Sequence, residues 1–401
     1  MIAIEEARAR ILAPLRPTGT EMVPLAAACG RVLAGAVLAR RTQPPADVSA
    51  MDGFAVRAAA AAAGARLRLV GSAPAGHPFA GRIEPGETVA VFTGSLLPEG
   101  ADAVLIQEDA EREGGEVRVG ESVRPGQHVR PRGQDFTAGE RLLAPGRRLT
   151  ARDVGLAAAA DHPWIAVHRR PVVAVLATGD EIALPGEEVP AGGIVSSNSH
   201  ALAALVGAAG GEARVLPIVP DDVEAIAAAT ERLGAVDLLV TTGGASVGAH
   251  DLVREGLARR GLALDFWKVA MRPGKPLMHG RVAGVPLLGL PGNPVSALVC
   301  ATLFLLPALA RLAGEAGWAL PMETALLGAP LPANDRRADH LRARLEHDAA
   351  GRLTVTPFAR QDSSLQRLLA EADGLLFRPA DAPALAPGAE VPVLRFSNLG
   401  I

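Results

Sequence analysis

From Pro171 onward the chain alternates unbroken apolar runs with helical stretches, and few architectures satisfy that alternation. Val172–Ala177 (VVAVLA), 214–219 (RVLPIV) and 236–241 (VDLLVT) read as strands, with helices predicted over about 198–209 and 222–233. A strand apolar at every position has no face for water, so it belongs in a parallel sheet covered by helices on both sides. In such sheets ligands bind where loops leave the carboxyl ends of the strands.

The 401 residues exceed the ~250–300 at which one core stops growing, so several domains are expected. The texture divides the chain into a helical and linker part (1–45 and 141–169), a β-domain (46–140), the α/β block (170–322) and a C-terminal β-barrel (323–401). Residues 1 to 45 look helical and are candidates to pair with the Ala-rich stretch from Thr150 as one helical element. Within 46–140, short alternating runs such as 66–70 and 87–92, separated by Gly and Pro, indicate antiparallel strands. The N-terminal helix is amphipathic through Ile4, Ile11, Leu12 and Leu15, and Glu5 and Glu6 stand where a signal peptide needs apolar residues. The span from Val282 to Ala310 carries no charge and is long enough to cross a bilayer. Pro286, Pro291, Gly292, Asn293 and Pro294 interrupt it, so it reads as a buried strand, a loop and a buried helix. A net charge of −3 and 3% aromatics with no Tyr give no case for nucleic acid or an anionic membrane as partner. Cys29 and Cys300 each sit in an apolar setting and read as two buried free thiols, and a cytoplasmic location is expected.

Three loop systems of the α/β block carry candidate chemistry. The first is Thr178-Gly179-Asp180-Glu181, whose acidic pair is either a solvated turn or part of a cation site. The second is Thr242-Gly243-Gly244-Ala245-Ser246-Val247-Gly248, a candidate backbone nest for an oxyanion, followed by Asp251 as helix cap or ligand. The third pairs Arg272-Pro273-Gly274-Lys275-Pro276 with Pro291-Gly292-Asn293-Pro294-Val295-Ser296, two proline-stiffened turns. Of 40 basic residues 38 are Arg, and the two lysines, Lys268 and Lys275, fall within eight positions. A compact ammonium and a planar guanidinium are not interchangeable, so Lys275 is the residue expected to need a point charge in little space, whereas Lys268 beside Trp267 reads as snorkelling. In the β-domain, Asp52, Thr93, Arg130 and Asp135 sit in Gly-containing turns that are individually weak signals. No GxSxG elbow, P-loop or His/Cys metal signature is present.

Taken in order, SAMDGFA, FTGSLLPEGADAVLIQED, RPRGQDFTAGE, LATGDEI, SSNS, VTTGGASVGAHD, FWKVAMRPGKP and LPGNPVSAL resemble the molybdopterin molybdenumtransferases, the MoeA-type and gephyrin E-domain family, over nearly the whole chain. The resemblance implies a multi-domain α/β plus β protein: a parallel-rich molybdopterin-binding domain, two β-domains and an extended helical segment. It further implies a homodimer with clefts between the α/β domain of one subunit and the first β-domain of the other. The activity implied is insertion of molybdate into adenylylated molybdopterin with Mg2+-dependent release of AMP, and a molybdopterin adenylyltransferase is an implied partner. By similarity, Asp52, Thr93, Asp135, Glu181, Asp221, Asp251 and Lys275 match catalytic positions, with Glu181 and Asp251 toward the metal. Arg130, Thr178, Gly179, Ser197, Asn198, Gly243, Gly244, Ser246, Gly248, Arg272, Pro273, Gly274, Pro291, Gly292, Asn293, Pro294, Ser296, Arg342 and Ser363 match substrate-binding positions. Arg272 stands where the family commonly has Lys, Asp362 where it has Gly, and Phe54 where it has Tyr. Two competing readings are an adenylyltransferase, which would lack the flanking domains, and a partner-clustering scaffold without catalysis.

Overall fold

A computed structural model describes residues 1–231, 233–243 and 252–400. The fully apolar runs become the centre of a six-stranded sheet, in the order Glu212–Val215, Val172–Ala177, Leu238–Thr242, Val285–Leu290, Pro276–Val282, Ala263–Lys268. The first four strands are parallel, and the last two are joined antiparallel at one edge. Every residue of Val172–Ala177 and Leu238–Thr242 is buried, as an unbroken apolar strand requires. Register fixes the place of the site: Ala177 lies opposite Thr242, and Thr242 opposite Leu290. The loops beginning at Thr178, Gly243 and Pro291 therefore leave the sheet side by side at its carboxyl end.

The uncharged span resolves into the strand Val285–Leu290, a turn and a helix over Pro294–Leu312. That helix is long and apolar enough to cross a membrane, yet 89% of its most apolar window is buried in the core. Its middle, Ala301–Leu305, is π-helical immediately before Pro307, whose missing N–H would break a regular α-helical ladder there.

The N-terminal expectation is corrected. Only Ile4–Leu12 is α-helical in the first 45 residues, and it does not pair with the second helix, Ala151–Ala159. Ile4, Ala7, Ile11 and Leu15 instead join the core that contains the Pro294–Leu312 helix, because that is where their apolar stripe finds cover. Residues 20–38 and 141–168 do associate, but largely through short strands. Thr20–Pro24 pairs antiparallel with Trp164–His168, and Val37–Leu38 with Arg141–Leu143. The helix Ala151–Ala159 packs against this ribbon and is closed by a capping box between Thr150 and Asp153.

The β-domain is a six-stranded sheet, and it is mixed. Arg66–Ala73 runs parallel to Glu87–Val91, contrary to the antiparallel expectation, because alternating burial encodes a half-buried strand but not its direction. At the C-terminus, Met322–Leu327, Ala338–His347, Leu353–Pro357, Gly374–Arg378 and Glu390–Arg395 form a closed ring, since Ala338–His347 also pairs with Gly374–Arg378. A sixth strand, Met271–Arg272, comes from the α/β block and pairs parallel with Ala338–Asp339. Part of the Arg272–Pro276 loop is thus built into the barrel wall.

Beside that junction lies His340, buried against the edge of Phe377 at 4.7 Å between ring centroids. Burial pushes its imidazole down to about 4. The unfolded chain takes up the proton near pH 6.5 and the folded chain only near 4, so folding loses stability as the pH falls through that window. The slope is about 1.4 kcal/mol per pH unit, about 3 kcal/mol across the window. Urea unfolding at pH 7 and pH 4.5 is expected to show this loss in the parent chain and a smaller one in His340→Gln.

Candidate active site

The three loops that share the carboxyl end of the sheet meet the C-terminal barrel around a cavity of about 730 Å³. Their mutual placement rests on a few polar contacts. Asn198 Nδ2, at the start of the helix Asn198–Ala208, donates to Thr242 Oγ1 at 2.8 Å and to the carbonyl of Gly292 at 2.7 Å. Thr242 Oγ1 in turn donates to the carbonyl of Pro291 at 3.3 Å. One amide thereby ties three strand-end loops together. Gly243 has φ +96, and a Cβ there would lie 2.5 Å from the carbonyl oxygen of Thr178, so only glycine lets these turns approach so closely. Thr178 is buried beneath that contact and its hydroxyl has no hydrogen-bond partner among the described residues. It supports the wall and does not line it.

The Arg272–Pro276 loop is locked from several sides. Arg272 donates from Nε and Nη2 to the two carboxylate oxygens of Asp339 at 2.6 and 2.8 Å, a two-pronged pair that raises the guanidinium above its ordinary range. Gly274 packs on Cys300, whose thiol is pushed up by burial and is inert as a nucleophile, whereas Cys29, also expected to be buried, is exposed. The carbonyl of Lys275 accepts from the N–H of Val269 at 3.0 Å. The half-buried Lys275 lines the cavity and has no ion pair among the described residues. Lys268, in contrast, stands 4.2 Å over the Trp267 ring.

The barrel supplies the facing loop. Asn293 Nδ2 donates to Ser363 Oγ at 2.8 Å, and the N–H of Val295 to the Ser363 carbonyl at 3.1 Å. Asp362 is capped by the hydroxyl and N–H of Ser364, which hold its carboxyl below the usual range. Arg342 was expected at the substrate. It is 1% exposed and donates to the carbonyls of Leu365, Asp362 and Arg360 and to Gln361 Oε1. Its charge is spent holding the Ser363 loop from beneath, so it is a positioning residue.

Of the residues expected from sequence, Glu181, Ser197, Asn198, Gly243, Arg272, Pro273, Gly274, Lys275, Pro291, Gly292, Asn293, Pro294, Ser296 and Ser363 line this cavity. Gly179 and Asp221 do not line it but stand beside Glu181, behind its acidic end. Gly179, at φ +149, abuts the Glu181 carboxylate, while Asp180 Oδ1 accepts from the Asp221 N–H at 3.0 Å. Desolvation, reinforced by repulsion from Asp180 and Glu181, raises the Asp221 carboxyl. Gly244, Ser246, Gly248 and Asp251 lie outside the described residues. Asp52, Thr93, Arg130 and Asp135 are not brought to the cavity. Asp52 Oδ1 accepts from the Thr93 N–H at 2.7 Å and its hydroxyl at 2.9 Å, which lowers its carboxyl. Arg130 and Asp135 line a separate depression of about 660 Å³ in the β-domain, with Pro44, Gly94 and Leu96. Sequence reasoning missed Arg337 and Gln361, which reach the cavity from the barrel, and the aliphatic residues Ile182, Ile194 and Val195. None sits in a glycine or proline turn, which was the signal used.

Among the described residues no three carboxylate, imidazole or thiolate groups converge closely enough to hold a metal by themselves. The acidic end offers hard oxygen donors with mutual repulsion to relieve, which fits Mg2+ if waters and substrate phosphates complete the shell, as is that ion's habit.

Models of known families match in three segments: the MoeA N-terminal region (domain I and II) over residues 2–160, a probable molybdopterin binding domain over 174–311, and the MoeA C-terminal region (domain IV) over 324–396. Molybdopterin molybdenumtransferase 2 of Mycobacterium tuberculosis is 35% identical over 404 residues, covering 98% of this chain and 99% of its own length. The molybdopterin molybdenumtransferase of Haemophilus influenzae is 31% identical over 403 residues, covering all of both chains. The crystal structure of a molybdopterin biosynthesis MoeA protein from Pyrococcus horikoshii superposes with a TM-score of 0.86 at 32% identity over 99% of each chain.

Proposed function

This chain belongs to the molybdopterin molybdenumtransferase family, and from that premise we propose that it inserts molybdate into adenylylated molybdopterin with Mg2+-dependent release of AMP. The observation that carries the reading is one cavity with two chemical ends. At one end, Lys275 and the glycine-containing turns offer an ammonium with no ion pair among the described residues and backbone N–H groups for an oxyanion; at the other, Glu181 offers a carboxylate, with Asp180 and Asp221 beside it. A substrate that carries both a phosphate chain and a metal oxyanion needs both ends. When bound, Mg2+ would neutralise charge on the phosphates as the pyrophosphate bond breaks. Glu181 would hold it, Lys275 would orient the molybdate, and the Ser363 loop, fixed by Arg342 and Asn293, would close the cavity from the barrel side.

We propose further that the working unit is a homodimer. Asp52, Thr93, Arg130 and Asp135 lie apart from the cavity of their own chain, and a second copy would place that β-domain depression against it. A molybdopterin adenylyltransferase would supply the substrate, in the cytoplasm. The test is to incubate purified protein with adenylylated molybdopterin, molybdate and Mg2+ and follow AMP release and cofactor formation. Binding without AMP release would favour a scaffold, and AMP attachment from ATP an adenylyltransferase. With Glu181→Ala the Mg2+ midpoint of AMP release is expected to rise about tenfold or more; an unchanged titration removes Glu181 from the metal role.

A further inference from the structure

We infer that the short ribbon beside the Thr178 loop is the platform on which a flat fused heteroaromatic ring of the substrate lies, with Ile182 and Ile194 as the residues that read it. The ribbon consists of two parallel two-residue strands, Ile182–Ala183 and Ile194–Val195, pinned by the Ile194 N–H to the Glu181 carbonyl at 2.7 Å and the Ser196 N–H to the Ala183 carbonyl at 2.8 Å. Ile182 pairs with Ile194, so the two side chains rise from the same face of the ribbon, and both line the cavity. Ile194 is nonetheless 56% exposed and Val195 47%.

A single exposed aliphatic needs no explanation. Here Ile182, Ile194 and Val195 line the cavity together, and Ile194 and Val195 stand side by side among the thirteen large hydrophobics exposed among the described residues. Such clustering marks a surface that something covers. No aromatic side chain lines the cavity among the described residues, so a ring entering it has an aliphatic face as its partner. A branched side chain on each of two adjacent strands, ~5 Å apart, matches the breadth of a fused bicyclic ring. The ribbon also follows directly from Glu181 and leads into Ser197 and Asn198, so a ring seated on it stays within one molecule's reach of the groups at the phosphate end.

This inference rests on the proposed function for the identity of the ring, which belongs either to the pterin or to the adenine. The test uses the full chain with three probes: 6-hydroxymethylpterin followed by its own fluorescence, AMP by calorimetry, and molybdate by calorimetry. In Ile194→Ser and Ile182→Ser one of the two ring probes is expected to bind about tenfold more weakly, with molybdate affinity and melting temperature unchanged. Ile194→Val is expected to restore most of the affinity. Leu184→Ser, just past the ribbon and not lining the cavity, is expected to change nothing. Loss confined to the pterin probe or to AMP tells which ring the platform holds. Unchanged binding of both rings, no binding of either ring by the parent chain, or an equal loss for molybdate overturns the platform. Ring binding that depends on Ile194 in a protein that releases no AMP would keep the platform and defeat the proposed reaction.

Discussion

Gly274→Ala is expected to destabilise the chain by about 2–6 kcal/mol and to abolish most activity, although it adds a single methyl group. Two independent costs meet at this residue. Its φ of +107 lies where a side chain is strained, and a Cβ built there would stand 2.3 Å from Cys300 Sγ and 3.1 Å from Met271 Cε. Cys300 cannot step aside, because it is fully buried in the helix Pro294–Leu312 that forms the centre of the core. The displaced backbone would carry Arg272 away from Asp339 and Lys275 away from the cavity, since both flank the glycine. Thermal melting of the parent and three variants separates the two costs. Gly274→Ala with Cys300→Ala should recover the crowding but not the backbone strain, so it should melt between the parent and the single variant once Cys300→Ala alone is subtracted. Gly292→Ala is the contrast: among the described residues its Cβ would meet Gly243 alone, Cα at 3.5 Å and N at 3.9 Å, both ordinary contacts, so melting should move little. A Gly274→Ala protein with parental melting and activity would mean that the loop is not seated on Cys300.

What sequence could reveal followed from burial. Val172–Ala177 and Leu238–Thr242 were legible because a strand covered on both faces leaves no polar position. The first 45 residues misled because helix propensity is a weak prior, and pairing of Thr20–Pro24 with a strand some 140 positions later overrides it. Direction within the β-domain sheet was invisible for a related reason, since alternation is the same for parallel and antiparallel neighbours. At the site, the turns rich in glycine and proline were readable because close backbone approach demands particular residue types, as Gly243 against Thr178 illustrates. Arg342 was not readable as a buried strut, because an arginine in a motif looks the same whether its donors face substrate or the carbonyls of a loop. Nor does motif order tell distance: Asp52 and Asp135 fall in the 46–140 β-domain as expected from sequence, but only the fold shows that neither lines the cavity around Lys275 in its own chain.

Lys275→Ala is expected to lower the rate of molybdenum insertion on the order of 10²–10³-fold, the loss typical of removing one preorganised charge or donor from an oxyanion site. Melting should change little, because Lys275 has no ion pair to lose among the described residues and its backbone contact to Val269 survives the substitution. Lys275→Arg is the sharper experiment. The chain uses arginine at 38 of its 40 basic positions, so a lysine here is informative only if a guanidinium cannot do the same work. The loop leaves little room to adapt, being tied into the barrel through Met271–Arg272 and stiffened by Pro273 and Pro276. A planar fork longer than the ammonium should therefore displace the oxyanion, and Lys275→Arg should recover less than a tenth of the parental rate while binding molybdate measurably better than Lys275→Ala. Lys268→Arg supplies the comparison, since either cation can stand over Trp267 and activity should stay near parental. Full activity in Lys275→Arg would show that the site asks only for positive charge, and the retention of lysine would then carry no functional meaning.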